Sequence, residues 1–325
     1  MTPRVAVAMA VYDDAKYLPL ALDALGAQGF RDFHVTVYDD GSSDGSAAIA
    51  ESYQGRLPLR VIRGAHLGRH FAKQKSWTEA AAAPFLLVLD SDMVLPAEAL
   101  ERMVKELEAD PAAASVSARY RGAVGRRFGA AQAFIDDVFF KTVARPGGEG
   151  RWIVGACVLL RRAAIEGIEV RADLSEDQDL TQQLRQRFRL LLLADVIAVH
   201  HGIPDSLPGV VQRFYREGIR VRALHRADSS ALQVGSVARL VPLPLVALLA
   251  AGVVFAPALA TASLGLLAAY LAAFLLASCR VPARLQDRIA GALLFTVGNL
   301  GFGAGYAREG MRRRSAVMRE PRRSG

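Results

Sequence analysis

Three acidic clusters and one histidine pair hold the residue types in this chain best suited to chemistry on a charged, oxygen-rich substrate. Asp39-Asp40-Gly41-Ser42-Ser43-Asp44-Gly45-Ser46 opens with two adjacent carboxylates. Such a pair can accept hydrogen bonds from a base N–H or from ribose hydroxyls. Turn and cap chemistry explains the rest of the stretch, with Ser43 or Asp44 expected to cap a helix, but it does not call for both Asp39 and Asp40. Asp90-Ser91-Asp92 offers hard oxygen ligands suited to Mg²⁺ or Mn²⁺ in company with phosphates. In Ser175-Glu176-Asp177-Gln178-Asp179-Leu180, Ser175 and Gln178 fit a capping box, and first-turn acids suit the helix dipole. A carboxylate at such a helix start can also take a proton from a hydroxyl nucleophile. His200-His201 closes the run Val196 to Val199, where histidines either ligate metal or lie solvated in a loop.

The elements that must position these groups alternate between strand and helix, which points to an α/β sheet domain. Strands are expected at Val5 to Val11, His34 to Tyr38, Leu59 to Ile62, Phe85 to Leu89, Ala114 to Ala118, Cys157 to Leu160 and Leu190 to Leu193. Helices are expected at Tyr17 to Leu25, Ser46 to Tyr53 and Pro96 to Leu107, the last with proline in its first turn. Both aspartate pairs then follow strands, at the sheet edge where α/β proteins bind ligands. No glycine fingerprint for a dinucleotide, no phosphate-binding P-loop and no Gly-Xaa-Ser-Xaa-Gly elbow is present.

The chain of 325 residues carries a formal net charge of +8, and 52% of its residues are apolar. Its mean hydropathy is +0.21 and its pI about 9.8. The basic excess gathers after Arg185 and in Arg312, Arg313, Arg314, Arg319, Arg322 and Arg323. That tail follows apolar segments, so an anionic membrane surface is a better partner for it than nucleic acid. Between Arg239 and Arg280 lie 40 residues without a charged residue or histidine. A crossing helix needs about 20 residues, so this run predicts a two-helix membrane hairpin with both flanks cytoplasmic. Ile289 to Ala307 is also uncharged but holds five glycines and Asn299, and is expected to be interfacial or re-entrant. The spacing of Gly301 and Gly305 would let helices approach closely. Cys157 and Cys279 make no metal pair or disulfide framework, and the N-terminus lacks a signal-peptide pattern. The expected organisation is a catalytic domain over 1–228, a membrane region over 229–310 and a basic cytoplasmic tail over 311–325, in a multi-pass protein of the cell membrane.

Taken in order, these pieces resemble the family 2 glycosyltransferases of GT-A fold over residues 4 to 225. The resemblance rests on Val5 to Asp13, on Gln28-Gly29-Phe30-Arg31-Asp32-Phe33 leading into Val37-Tyr38-Asp39-Asp40-Gly41-Ser42, and on Leu87-Val88-Leu89-Asp90-Ser91-Asp92. Gly155 to Arg162 and Glu176-Asp177-Gln178-Asp179-Leu180 complete it. It implies that Asp39 and Asp40 hold the donor nucleoside, that Asp90 supports the donor ribose or metal shell, and that Asp92 binds a divalent metal, with His200 or His201 completing the site. Asp177 would be the base of an inverting transfer from a nucleotide-sugar, UDP by default, and the expected membrane hairpin points to a lipid or lipid-linked acceptor at the cytoplasmic surface. The Gln-Xaa-Xaa-Arg-Trp motif of processive synthases is absent, since the nearest stretch, Gln212 to Gly218, lacks the tryptophan. Transfer of a single sugar is therefore expected.

Two rivals are weighed beside it. Asp90, Asp92 and Val94 match the Asp-Xaa-Asp-Xaa-Val start of haloacid-dehalogenase-type phosphatases, in which the motif follows the first strand of the fold. A membrane-linked aspartyl-phosphate phosphatase is one alternative, and a non-catalytic nucleotide-sugar-binding scaffold is the other.

Overall fold

The computed structural model describes residues 2–125, 127–168, 176–227, 239–255, 257–279 and 281–317. Ser175, Arg280, Arg319, Arg322 and Arg323, invoked above, lie outside the described residues. The chain divides into two compact units, Met1–Ala123 with Phe139–Ile203, and Val124–Val138 with Pro204–Gly325.

The first unit is built on eight strands: β1 (Val5–Val11), β2 (Phe33–Asp39), β3 (Leu59–Arg63), β4 (Phe85–Leu89), β5 (Met93–Val94), β6 (Ala113–Gly122), β7 (Cys157–Arg161) and β8 (Arg189–His200). They form one sheet in the order β3-β2-β1-β4-β7-β6-β8-β5. The first four in that order are parallel, while β7 runs antiparallel to both β4 and β6. Both faces are covered, and β1 shows why its residues are nearly all apolar. Val5, Val7, Met9 and Val11 enter the core on one face, and Ala6 and Ala8 enter the core on the other. The first core takes Leu18, Leu22 and Leu25 of α1 (Leu18–Gly26), Ala50 of α2 (Ser46–Ser52), and Leu100, Met103, Val104 and Leu107 of α4 (Ala99–Ala109). The second takes Leu180 and Leu184 of α7 (Glu176–Leu184) and Ala164 of α6 (Arg162–Ile165).

Three expectations are revised by physical detail. Leu190 to Leu193 and Val196 to Val199 belong to one strand, β8, and the polar break between them is a bulge. Pairing with β6 passes from Leu193 opposite Ala118 to Ile197 opposite Arg119, so Ala194, Asp195 and Val196 are accommodated between two ladder positions. Asp195 leans out to Arg102 at 2.8 Å. Helix α4 begins at Ala99, because Pro96 forms the preceding turn and its carbonyl accepts the Ala99 N–H at 3.0 Å. The expected side-chain cap of α2 is displaced: Gly45, at φ +92°, holds the cap position, and Asp44 accepts the Ser46 N–H from one residue further out at 3.0 Å. Helices α3 (Arg69–Glu79) and α5 (Gly129–Val143) were not foreseen.

The second unit contains α8 (Leu207–Ala227), α9 (Pro242–Phe255), α10 (Pro257–Ala277) and α11 (Leu285–Val317), and the boundary between the units falls within α5. Helix α8 lies in this unit rather than in the first, because Val210, Phe214 and Val221 share a core with Leu294 and Phe302 of α11. The glycine spacing read from the sequence is used here. A Cβ on Gly301 would strike the Val211 carbonyl, and one on Gly305 the Tyr215 carbonyl, so α8 and α11 meet backbone to backbone. The multi-pass hairpin expected over 240–279 is not confirmed. It does fold as two helices packed on each other, but α9 has 14 residues and, at about 1.5 Å each, spans only about 21 Å of a core about 30 Å thick. Among the described residues, the one helix long and apolar enough to cross a membrane is Leu285–Glu309, half buried within the protein. Of the two readings of 289–307, interfacial or re-entrant, the re-entrant one gives way to this unbroken helix.

Candidate active site

The site residues converge at one edge of the sheet in the first unit. β1 ends at Val11 opposite Asp39 of β2, and β1 also pairs with β4, so the loops carrying Asp13-Asp14, Asp39-Asp40 and Asp90-Asp92 emerge side by side. The first two loops are laced together. Asp13, at φ +48°, accepts the Ser43 N–H at 2.7 Å, Asp44 accepts the Ala15 N–H at 2.8 Å, and Ser46 Oγ accepts the Asp14 N–H at 2.9 Å. A left-handed backbone is tolerated by aspartate better than by most side chains.

Asp40 is fully buried and anchors the loop after β3. Its Oδ1 accepts the Leu67 N–H at 3.0 Å and its Oδ2 the Gly68 N–H at 2.9 Å, with His66 Nδ1 3.2 Å from Oδ2. Gly41 makes this approach possible, since it sits at φ +78° and a Cβ there would lie 2.9 Å from the His66 nitrogen. The result is an aromatic lip in which His66 stacks on exposed Tyr12 with ring centroids 4.0 Å apart. Asp39 accepts the Ser42 N–H at 3.3 Å through Oδ2, while its buried Oδ1 has no partner.

Asp92 and Asp90 face different surroundings. The two-residue strand β5 pairs Met93 with His200, which sets the end of β8 against Asp92. His200 Nε2 lies 3.2 Å from Asp92 Oδ2, and the His201 N–H donates to the Asp92 carbonyl at 2.9 Å. The His201 ring lies beside Tyr17, at 5.9 Å between centroids. Burial pushes the Asp92 carboxyl up, but hydrogen bonding to His200 and its charge outweigh this and hold it below the usual carboxylate range. Asp92 Oδ1 and His200 Nδ1 are buried without a partner. A buried polar atom without a partner costs roughly 1–3 kcal/mol, so a ligand that paired these atoms would be favoured by that much. The donor set, one carboxylate oxygen and one imidazole, fits a divalent cation whose remaining ligands come from phosphate or water. Among the described residues no three His, Cys, Asp or Glu side chains gather closely enough to hold an ion by themselves.

Asp90 is instead held by cations. Lys73 Nζ lies 2.7 Å from its Oδ1, and Arg69 Nη2 lies 3.4 Å from its Oδ2. The same Lys73 nitrogen lies 2.6 Å from Glu176 at the start of α7. Burial would raise the Glu176 carboxyl, but Lys73 and Arg69 bring it down to about 2. Asp177 follows in the first turn, half-buried, with its Oδ1 accepting the Gln178 N–H at 2.9 Å. Between the two aspartates, Ser91 Oγ donates to Asp14 at 2.6 Å, and burial, together with the nearby Asp92 and Asp44, raises the Asp14 carboxyl to about 6.

The site therefore gathers every residue read from the sequence: Asp39, Asp40, Asp90, Asp92, Asp177, His200 and His201. It adds Asp14, His66, Arg69 and Lys73. The last two sit on α3, whose buried positions are Ala72, Lys73 and Ser76, so no apolar stripe announces the helix. A phosphatase nucleophile at Asp90 fits poorly, because the motif follows the fourth strand in the chain and the carboxylate is already engaged by two cations.

Comparison with known proteins bears on the family and the fold. The family model described as glycosyl transferase family 2 matches residues 6–168. The chain is 30% identical over 105 residues to the putative glycosyltransferase EpsH of Bacillus subtilis, covering 32% of this chain and 30% of that protein. It is 32% identical over 117 residues to validoxylamine A glucosyltransferase of Streptomyces hygroscopicus subsp. jinggangensis, covering 35% of this chain and 28% of that protein. The matched segments thus span less than a third of either relative. Among solved structures, the mannosyltransferase PcManGT of Pyrobaculum calidifontis, in complex with GDP-Man and Mn²⁺, superposes with a TM-score of 0.64 at 19% identity, covering 96% of this chain and 88% of that one.

Proposed function

Because the chain belongs to glycosyl transferase family 2, we propose that it is an inverting, metal-dependent enzyme that moves one sugar from a nucleotide-diphospho-sugar to a hydroxyl of a lipid or lipid-linked acceptor. The observation that carries this reading is the pair of buried, unpartnered carboxylate oxygens at one sheet edge, Asp39 Oδ1 and Asp92 Oδ1. Asp39 Oδ1 would serve the nucleoside and Asp92 Oδ1 the metal and diphosphate.

In this reading Asp39 receives hydrogen bonds from the nucleoside, and Asp40 holds the His66–Gly68 loop that borders it. Asp92 and His200 would hold the divalent cation, which when bound offsets the charge growing on the departing diphosphate. Asp177 takes the proton from the acceptor hydroxyl as that oxygen attacks the anomeric carbon from the face opposite the leaving group. Configuration at that carbon is thereby inverted. A lipid acceptor is supported by the second unit, where Leu264, Leu266, Leu276, Leu285 and Leu293 are each more than half exposed. UDP is the donor expected from the sequence, and the Pyrobaculum protein holds GDP-Man, so both belong in the test.

The test is to incubate the purified protein with UDP-glucose, GDP-mannose or dTDP-glucose, Mn²⁺ and a total lipid extract, measuring nucleoside diphosphate released and sugar carried into the lipid phase. Turnover of one donor with lipid-borne product is expected. Folded protein that turns over none of them, with water or lipid as acceptor, would contradict the proposal.

A further inference from the structure

Lys73 is 5% exposed and lies on a helix whose other buried positions are small. An ammonium group has three N–H donors and no acceptor. Here three acceptors surround it: Asp90 Oδ1 at 2.7 Å, Glu176 Oε1 at 2.6 Å and the Gly155 carbonyl at 3.3 Å. These acceptors come from the end of β4, the first turn of α7 and the segment before β7. Burying a lysine is costly unless it is paired, and simple stability would be served as well by an apolar side chain of similar length. A buried cation retained at the meeting of three segments therefore calls for a role in the site.

Two of the three contacts bear on Asp177. Glu176 is its immediate neighbour, and Gly155 lies beneath it, so closely that a Cβ added there would come within 2.7 Å of the Asp177 Cβ. Lys73 thus grips the residue before Asp177 and the backbone on which Asp177 rests. Its third contact, Asp90, is two residues from Asp92. We propose that Lys73, acting through Glu176, is the positioning residue that fixes Asp177 relative to the donor site. This role rests on the transferase reading above. It also recasts Glu176 as a strut rather than a helix-cap acid, and Asp90 as an internal counter-charge rather than a donor ligand. Lys73 itself touches no reacting atom. Its effect is geometric, and a displacement of about 1 Å at a reacting group can cost on the order of 100-fold in rate.

Glu176→Gln tests the link without emptying the cluster, since Lys73 keeps Asp90 and the Gly155 carbonyl. Lys73→Met removes all three contacts and could fail to fold, so Glu176→Gln is the deciding variant. Nucleoside-diphosphate release from whichever nucleotide-sugar the wild type turns over is measured with Mn²⁺ and either water or the lipid extract as acceptor, along with thermal melting. Glu176→Gln is expected to lower kcat on the order of 10- to 100-fold, while the donor KM changes by less than about twofold. In the Asp177→Asn background the same substitution should add no further loss, because the group it positions is gone. An unchanged kcat, or an equal further loss on top of Asp177→Asn, overturns the proposal. A folded wild type that releases no nucleoside diphosphate from any donor instead overturns the transferase reading, and this role falls with it.

Discussion

In the helical unit, Arg239 gives Nη1 and Nη2 to Glu217 at 2.6 and 2.9 Å and Nε to Asn299 at 3.0 Å. The fully buried Asn299 in turn donates its amide to Tyr270 at 3.1 Å. Phe302 packs under the guanidinium at 4.1 Å. The acidic rim of the first unit is arranged differently. There Asp39 Oδ1, Asp92 Oδ1 and His200 Nδ1 are buried with no partner, a few residues from a lysine whose three donors are all engaged. A closed network fixes which helices lie together and asks for nothing more. An open one costs stability until something binds. Around Arg239 buried polarity is closed into packing, although Arg213 Nη1 and Arg222 Nε of the same unit have no hydrogen-bond partner; at the acidic rim it is left open, as the proposed donor site requires.

Substitutions can break or sharpen that contrast, beginning with the largest effect. Asp177→Asn should reduce turnover by about 10³-fold, the range for loss of a general base, while nucleoside-diphosphate affinity measured by calorimetry stays the same. A matching loss of affinity would remove Asp177 from the base role. In the helical unit, Gly305→Val should cost roughly 3 kcal/mol, because its side chain meets the Tyr215 carbonyl where α8 and α11 touch. An unchanged melting temperature would mean the two helices do not depend on that approach. Arg239→Met, which opens the closed network, should cost about 2 kcal/mol and leave nucleotide affinity alone. A drop in that affinity would blur the division between the two regions.

The smallest effect is expected at Asp14, whose raised carboxyl penalises the folded state when ionised. A folded pKa of about 6 against an ordinary value of 3.8 means that the stabilising contribution is complete below about pH 4 and is lost as pH rises through 6. Asp14→Asn can still accept the Ser91 hydrogen bond. It should therefore raise stability at pH 8 by about 1 kcal/mol, after discounting for solvent screening of a half-exposed group, and by nothing at pH 4. The measurement is thermal melting in a chelator. Equal effects at both pH values would show that ionisation is not the cause.

The sequence reached much of this because buried parallel strands are apolar on both faces. Val5 to Val11 and Phe85 to Leu89 coincide with β1 and β4, and the acids that follow them cannot be core. What stayed hidden was hidden for physical reasons. Helix α3 buries alanine, lysine and serine, so periodicity is silent about it, and Lys73 reads as a surface residue until two carboxylates are found around it. The β8 bulge looked like a strand end because Ala194-Asp195 interrupts the apolar run. The glycines of 289–307 argued against a regular crossing helix, yet three of them, Gly298, Gly301 and Gly305, are what let α11 lie on α8. The 40 uncharged residues predict two crossings and two helices are found there, but uncharged composition alone does not supply length, and α9 has 14 residues among those described.

Whether the open acidic rim binds a nucleotide through Asp92 is the most direct question. Calorimetric titration of UDP, GDP and dTDP into the full chain, with and without Mn²⁺, on wild type and Asp92→Asn, addresses this in one experiment. One nucleotide is expected to bind the wild type, Mn²⁺ to tighten it, and Asp92→Asn to weaken the Mn²⁺-dependent part on the order of 10- to 100-fold. Binding that ignores both Mn²⁺ and the substitution, or no binding by folded protein, would contradict the transferase reading.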